Sequence, residues 1–127
     1  MARTYRGRRA AVLENDRLRV TVLHEGGHIA EIYDKIAGVN PLWTPPWPTI
    51  EPSMFDPADA AIYGSGGDAR LLSGIMGHNL CLDIFGGPSE AEAAAGLPVH
   101  GEASLVRYEL EQSGLTLFER AQLPLTN

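Results

Sequence analysis

The sequence has a single cysteine, Cys81. One thiol excludes an internal disulfide framework and any zinc cluster built on cysteines. No stretch approaches the roughly 18 apolar residues of a membrane-spanning helix. The N-terminus carries arginines but no apolar run of the kind a secretory leader needs, so the cytoplasm is the expected compartment. Basic residues are in the minority. Ten Lys and Arg stand against sixteen Asp and Glu, a formal charge of −6, which argues against nucleic acid as the main partner. Internal repeats and low-complexity tracts are absent.

What is present suits one folded domain. The chain has 127 residues, 44% apolar and 20% charged, ordinary values for a globular protein with one modest core. Glycine and proline contribute 14 and 9 residues. That richness in turn formers disfavours a bundle of long helices.

Six of the ten basic residues fall at the start: Arg3, Arg6, Arg8, Arg9, Arg17 and Arg19. Residues 1–9 read as a basic arm, and residues 10–127 as the folded domain. No aromatic platform accompanies the arginines, so a solubilising tail fits better than a phosphate-binding arm. Residues 10–14 and the alternation of Leu18, Val20 and Val22 with Arg17, Arg19 and Thr21 predict a β-hairpin across Asn15-Asp16. Gly26-Gly27 forms a turn before a third strand over 28–34. Pro41–Pro52 holds five prolines and cannot be a central strand or a helix interior. Trp43 and Trp47 in this loop are either a sugar-stacking platform or lids over the core.

Asp56-Pro57 starts a short helix that Gly64 ends. Leu80–Phe85 reads as a buried strand. Ser89 and Glu92 form a capping box for a second short helix, stopped at Gly96. Strands are then expected from Leu97, across Val106–Leu110, and over Leu115–Leu125. About seven strands with two very short helices predict an all-β antiparallel sandwich or barrel.

The chemical motifs are sparse. Gly64-Ser65-Gly66-Gly67 lacks the spacing of a phosphate-binding loop or of a nucleophile elbow. His24 and His28 are four apart, but Gly26-Gly27 forbids the helix that would make them joint ligands. A cupin-like metal site would have to be assembled from His78, His100 and Glu102, with no dense ligand spacing to support it. Cys81 sits in an apolar run and is expected to be buried and inert. His100 lies between Pro98 and Gly101 where a helix ends. An imidazole titrates near neutral pH and suits general acid or base work; a structural histidine bonded to backbone is the other reading.

Two longer runs carry a resemblance. Val12 to Trp43 (VLENDRLRVTVLHEGGHIAEIYDKIAGVNPLW) resembles the opening of galactose mutarotase-like proteins. Ser73 to Ala103, with Leu97-Pro98-Val99-His100-Gly101, resembles the aldose 1-epimerase segment that ends in the same Leu-Pro-x-His-Gly pattern. The resemblance spans most of residues 10–125. It implies an antiparallel β-supersandwich that interconverts sugar anomers without a cofactor or metal. It makes His100 an active-site residue and the partner a small-molecule aldose or sugar phosphate. Arg70, His78 and Asn79 stand where sugar-contacting residues fall, and position 28 is His where relatives often carry Arg. The chain matches only the N-terminal half of such proteins. The family's second cleft histidine, substrate-binding aspartate and catalytic glutamate lie in the half with no match here. A carbohydrate-binding half-domain without turnover is therefore the alternative. Half a supersandwich leaves an open strand edge, so self-association through that edge is expected.

Overall fold

A computed structural model describes residues 3–126. Four strands, β1 (Arg3–Tyr5), β2 (Arg8–Glu14), β3 (Leu18–Leu23) and β4 (Ile29–Asp34), form an antiparallel sheet in sequential order. β5 (Glu109–Ser113) and β6 (Thr116–Arg120) form a separate antiparallel pair. Between them lie three short helices, α1 (Ala60–Tyr63), α2 (Ala69–Gly74) and α3 (Glu90–Ala94), and a long irregular segment. No helix is long and apolar enough to cross a membrane among the described residues.

Local chemistry sets the turns. Asn15 Oδ1 accepts from the backbone N–H groups of Arg17 and Leu18, both at 2.9 Å, and so closes the β2–β3 hairpin. Asp34 Oδ1 does the same for Ile36 and Ala37 after β4. Asp56 accepts from Ala58 N–H at the helix start, and the Ser89–Glu92 capping box is complete.

The N-terminal segment departs from expectation. Residues 3–9 are not an arm: Arg3–Tyr5 pair with Arg8–Ala10 through a turn in which Arg6 and Gly7 have φ of 49° and 81°, the backbone of a tight hairpin. Residues 1 and 2 of the expected arm lie outside the described residues. Arg8 is fully buried. Its Nε donates to Glu51 Oε2 at 3.3 Å, Nη1 to Thr49 Oγ1 at 3.2 Å and to the Gly74 carbonyl, and Nη2 to the Glu25 carbonyl at 2.8 Å. Burial pulls its pKa below the ordinary guanidinium value, and Glu51 and Glu25 oppose that pull.

One apolar cluster joins Ala10, Leu23, Ala30 and Met76, with Tyr5 packed beside them, and Val22, Tyr63, Leu71, Ile84 and Leu105 are buried outside it. The proline-rich loop is tied down by polar contacts. Trp47 Nε1 donates to the Leu72 carbonyl at 2.9 Å, and the Tyr63 hydroxyl donates to the Pro48 carbonyl at 2.7 Å. Trp43 meets Trp47 edge-on and stays half exposed.

Two expected strands are absent. Leu80–Phe85 is irregular, because Asp83 adopts φ of 64° and Phe85 turns out to solvent. Residues 97–101 form a turn rather than a strand entry. The last strand ends at Arg120, and α2 appears where none was expected.

Replacing Arg8 with Met keeps much of the volume and strands four acceptors. We expect the loss of one partner of a buried charge pair to cost about 3–5 kcal/mol, measured as a drop in the urea midpoint.

Candidate functional site

The irregular segment 77–105 is stitched onto the sheet at fixed points. His78 and Ile29 exchange backbone hydrogen bonds, both at 3.0 Å. Gly77 N–H donates to the Trp43 carbonyl. A side chain at Gly77 would run into the Ile29 carbonyl, so only glycine allows the approach. Ser104 Oγ donates to the Leu80 carbonyl at 2.6 Å, and the Ser104 carbonyl meets His28 Nε2 at 3.1 Å.

His100 is placed by what precedes it. α3 ends in a Schellman-type closure, with Leu97 N–H on the Glu92 carbonyl and Gly96 N–H on Ala93. The chain then turns through Pro98–Gly101, and His100 takes φ of 64°. That backbone is costly for a non-glycine residue, and such strain concentrates at working sites. Gly86 and His100 hold each other reciprocally. His100 N–H donates to the Gly86 carbonyl at 2.8 Å, and Gly86 N–H donates to His100 Nδ1 at 2.9 Å. Because Nδ1 accepts, the neutral ring carries its proton on Nε2. The Phe85 ring, 90% exposed, lies 5.4 Å from the imidazole.

A separate open cleft of about 1310 Å³ lies between α2, the 105–107 segment, β6 and the C-terminal residues. It exceeds the roughly 300–1,000 Å³ of an enclosed small-molecule pocket, so it is a groove. Arg70 lines it with Glu25, Ser53, Glu102, Arg107 and Arg120. Glu25 is spent on Ser53, accepting from its N–H at 2.8 Å and its hydroxyl at 2.6 Å. Glu102 is spent on the backbone N–H groups of Leu125 and Thr126, at 2.8 and 2.7 Å. Arg70 Nε donates to the Pro52 carbonyl at 3.1 Å.

The expected site residues are therefore not all in one place. Arg70 lines the groove. His100 does not, although Pro98 and Glu102 on either side of it do. His78 is exposed beside the start of β4, and Asn79 follows it half-buried, with neither lining the groove. Sequence reading missed Phe85 and Gly86, the two residues that orient and flank His100. The Gly86-Gly87-Pro88 break was the available signal. The cupin-like set fails on its chemistry. Glu102 Oε1 accepts from two backbone N–H groups, and among the described residues no three His, Cys, Asp or Glu side chains are placed to hold a metal. Cys81 is partly exposed rather than buried.

Two buried groups flank the sheet. Burial, then the positive charge of Arg8, pushes the His28 pKa down from 6.5 to about 4, and the Ser104 carbonyl only partly offsets this. His28 is thus a neutral structural group whose Nδ1 makes no hydrogen bond. Burial alone would raise Glu31, but hydrogen bonds from Arg19 at 2.6 Å and Thr21 at 2.8 Å hold it below the usual carboxylate range.

No family model matches the chain, and no curated protein or solved structure matches it.

His28 has its lower pKa in the folded state, so the unfolded chain binds the proton more tightly. Its contribution is complete above about pH 6.5 and is lost as pH falls towards 4. That amounts to about 3 kcal/mol, and His28→Gln is expected to flatten urea midpoints across this window. Gly101 has φ of 80°, and a methyl there would strike the Leu82 carbonyl. Gly101→Ala is expected to cost about 1–3 kcal/mol and to shift the His100 ring resonances.

Proposed function

We propose that this chain provides the histidine side of a sugar site of the aldose 1-epimerase type, within an antiparallel sandwich working in the cytoplasm. The observation that carries the reading is the fixed tautomer of His100 beside a bare aromatic ring. Gly86 N–H occupies Nδ1, which leaves Nε2–H as the ring's donor. Phe85 offers an apolar face at 5.4 Å. A pyranose has this pair of needs: a donor to its ring oxygen and a surface for its C–H face.

In the reaction, His100 Nε2–H donates a hydrogen bond that stabilises the charge developing on the ring oxygen as the C1–O5 bond breaks, and water supplies that oxygen's proton, because the Gly86 N–H on Nδ1 keeps the imidazole neutral. A carboxylate takes the C1 hydroxyl proton, so the open aldehyde forms with charge balanced. Rotation about C1–C2 and closure in reverse yield the other anomer. No cofactor enters the sequence. The carboxylate is not assigned: Glu25 is held by Ser53 through both oxygens and Glu102 by the 125–126 backbone through Oε1. That commitment favours a second reading, carbohydrate binding without turnover.

Titration of the labelled chain with aldoses, followed by NMR, tests both. Binding is expected to move the His100 and Phe85 side-chain resonances, and His100→Ala to weaken it at least tenfold, about 1.4 kcal/mol. Anomer exchange in the same samples separates the readings: faster than spontaneous means epimerase, and an unchanged rate with binding means recognition alone. No aldose-dependent shift at either residue overturns the proposal.

A further inference from the structure

The two sheets present four outer strands, and three of their edges are protected. β1 is only Arg3–Tyr5 and is followed by exposed Arg6, a short cationic edge. The β4 edge is covered by His78 and Val39, and Ile32 N–H is taken by Asn40 Oδ1 at 3.0 Å. β5 carries Glu109 and Glu111. Antiparallel self-pairing centred on β5 would set Glu111 directly against Glu111, a like-charge clash.

β6 carries one charge of each sign, Glu119 and Arg120, so pairing with itself does not force like charges together. Its main packing partner is β5, and an isolated two-stranded hairpin is marginal in water. Gly114-Leu115 is a two-residue loop, so Ser113 and Thr116 close it as a hydrogen-bonded pair. Alternation then turns the N–H and C=O groups of Leu117 and Glu119 outward. Pairing β6 with itself about Phe118 sets Leu117 opposite the partner's Glu119 and Thr116 opposite the partner's Arg120. The outward groups of Leu117 and Glu119 then meet as hydrogen-bonded pairs. Phe118, 49% exposed, faces the partner's Phe118 in the close, non-hydrogen-bonded position that favours aromatic contact. No like charges oppose each other.

We propose that β6 is the docking edge for a second copy of this chain, the two strands pairing antiparallel about Phe118. The pairing joins two hairpins into a four-stranded sheet. Because Glu119 and Arg120 also line the groove, it fixes one wall of that groove as well. The inference stands apart from the sugar reading.

Sedimentation of the whole chain over a wide concentration range tests it. The average mass is expected to rise from 13.7 kDa towards twice that value. Phe118→Lys and Phe118→Glu alone should each stay monomeric, since each opposes like charges. Their mixture should associate again, which also shows that both variants fold. Amide exchange in the unaltered chain is the second measurement: the Leu117 and Glu119 N–H groups should slow with concentration, and Phe118 should not. A monomer throughout, association by either variant alone, or exchange at Leu117 and Glu119 that ignores concentration would overturn the proposal.

Discussion

A guanidinium with no access to water organises this molecule. Arg8 cannot shed its charge, so every direction in which it donates must end on an acceptor. Those four acceptors come from three places: Thr49 and Glu51 in the proline-rich loop, Gly74 at the end of α2, and Glu25 before the Gly-Gly turn. The apolar cluster of Ala10, Leu23, Ala30 and Met76 contains no residue of that loop. The charge holds the loop's 49–51 stretch, alongside the Trp47 and Tyr63 hydrogen bonds. Burial first, and then the field of Arg8, keep its neighbour His28 neutral.

The site follows from that arrangement. With α2 and the 49–53 stretch fixed, Pro52 packs against Gly74, and Arg70 reaches the Pro52 carbonyl on the groove wall. On the other side, Gly26 donates to the Val106 carbonyl, and Tyr108 donates to that of His24. Segment 105–108 is thereby anchored to the sheet end that Arg8 organises. The loop bearing His100 hangs between these anchors, held through Ser104 and Gly86.

What the sequence revealed, it revealed through local rules. Leu18, Val20 and Val22 alternate on a real strand, Asn15 makes its turn, and Ser89 with Glu92 caps α3. These features depend on residues a few positions apart. Arg8 was illegible because it sits among exposed arginines and differs from them only in distant acceptors. Leu80–Phe85 misled because a short apolar run does not reveal its own backbone; Asp83 breaks it, and Phe85 becomes surface. His100 was legible through its Pro and Gly neighbours. Its tautomer was not, since that depends on Gly86, fourteen residues earlier. The split between Arg70 in the groove and His100 beside it is likewise a tertiary fact.

The Arg8 contacts also bear on how the chain reaches this state. They close loops of 17, 41, 43 and 66 residues. Loop closure costs entropy before any contact rewards it. A guanidinium stripped of water with only half its acceptors in place is worse off than one still hydrated. The β2–β3 hairpin can therefore form from its own turn, whereas burial of Arg8 needs all three acceptor segments in place. That ties completion of the fold to a single residue near the N-terminus, whose partners lie far from it in the sequence.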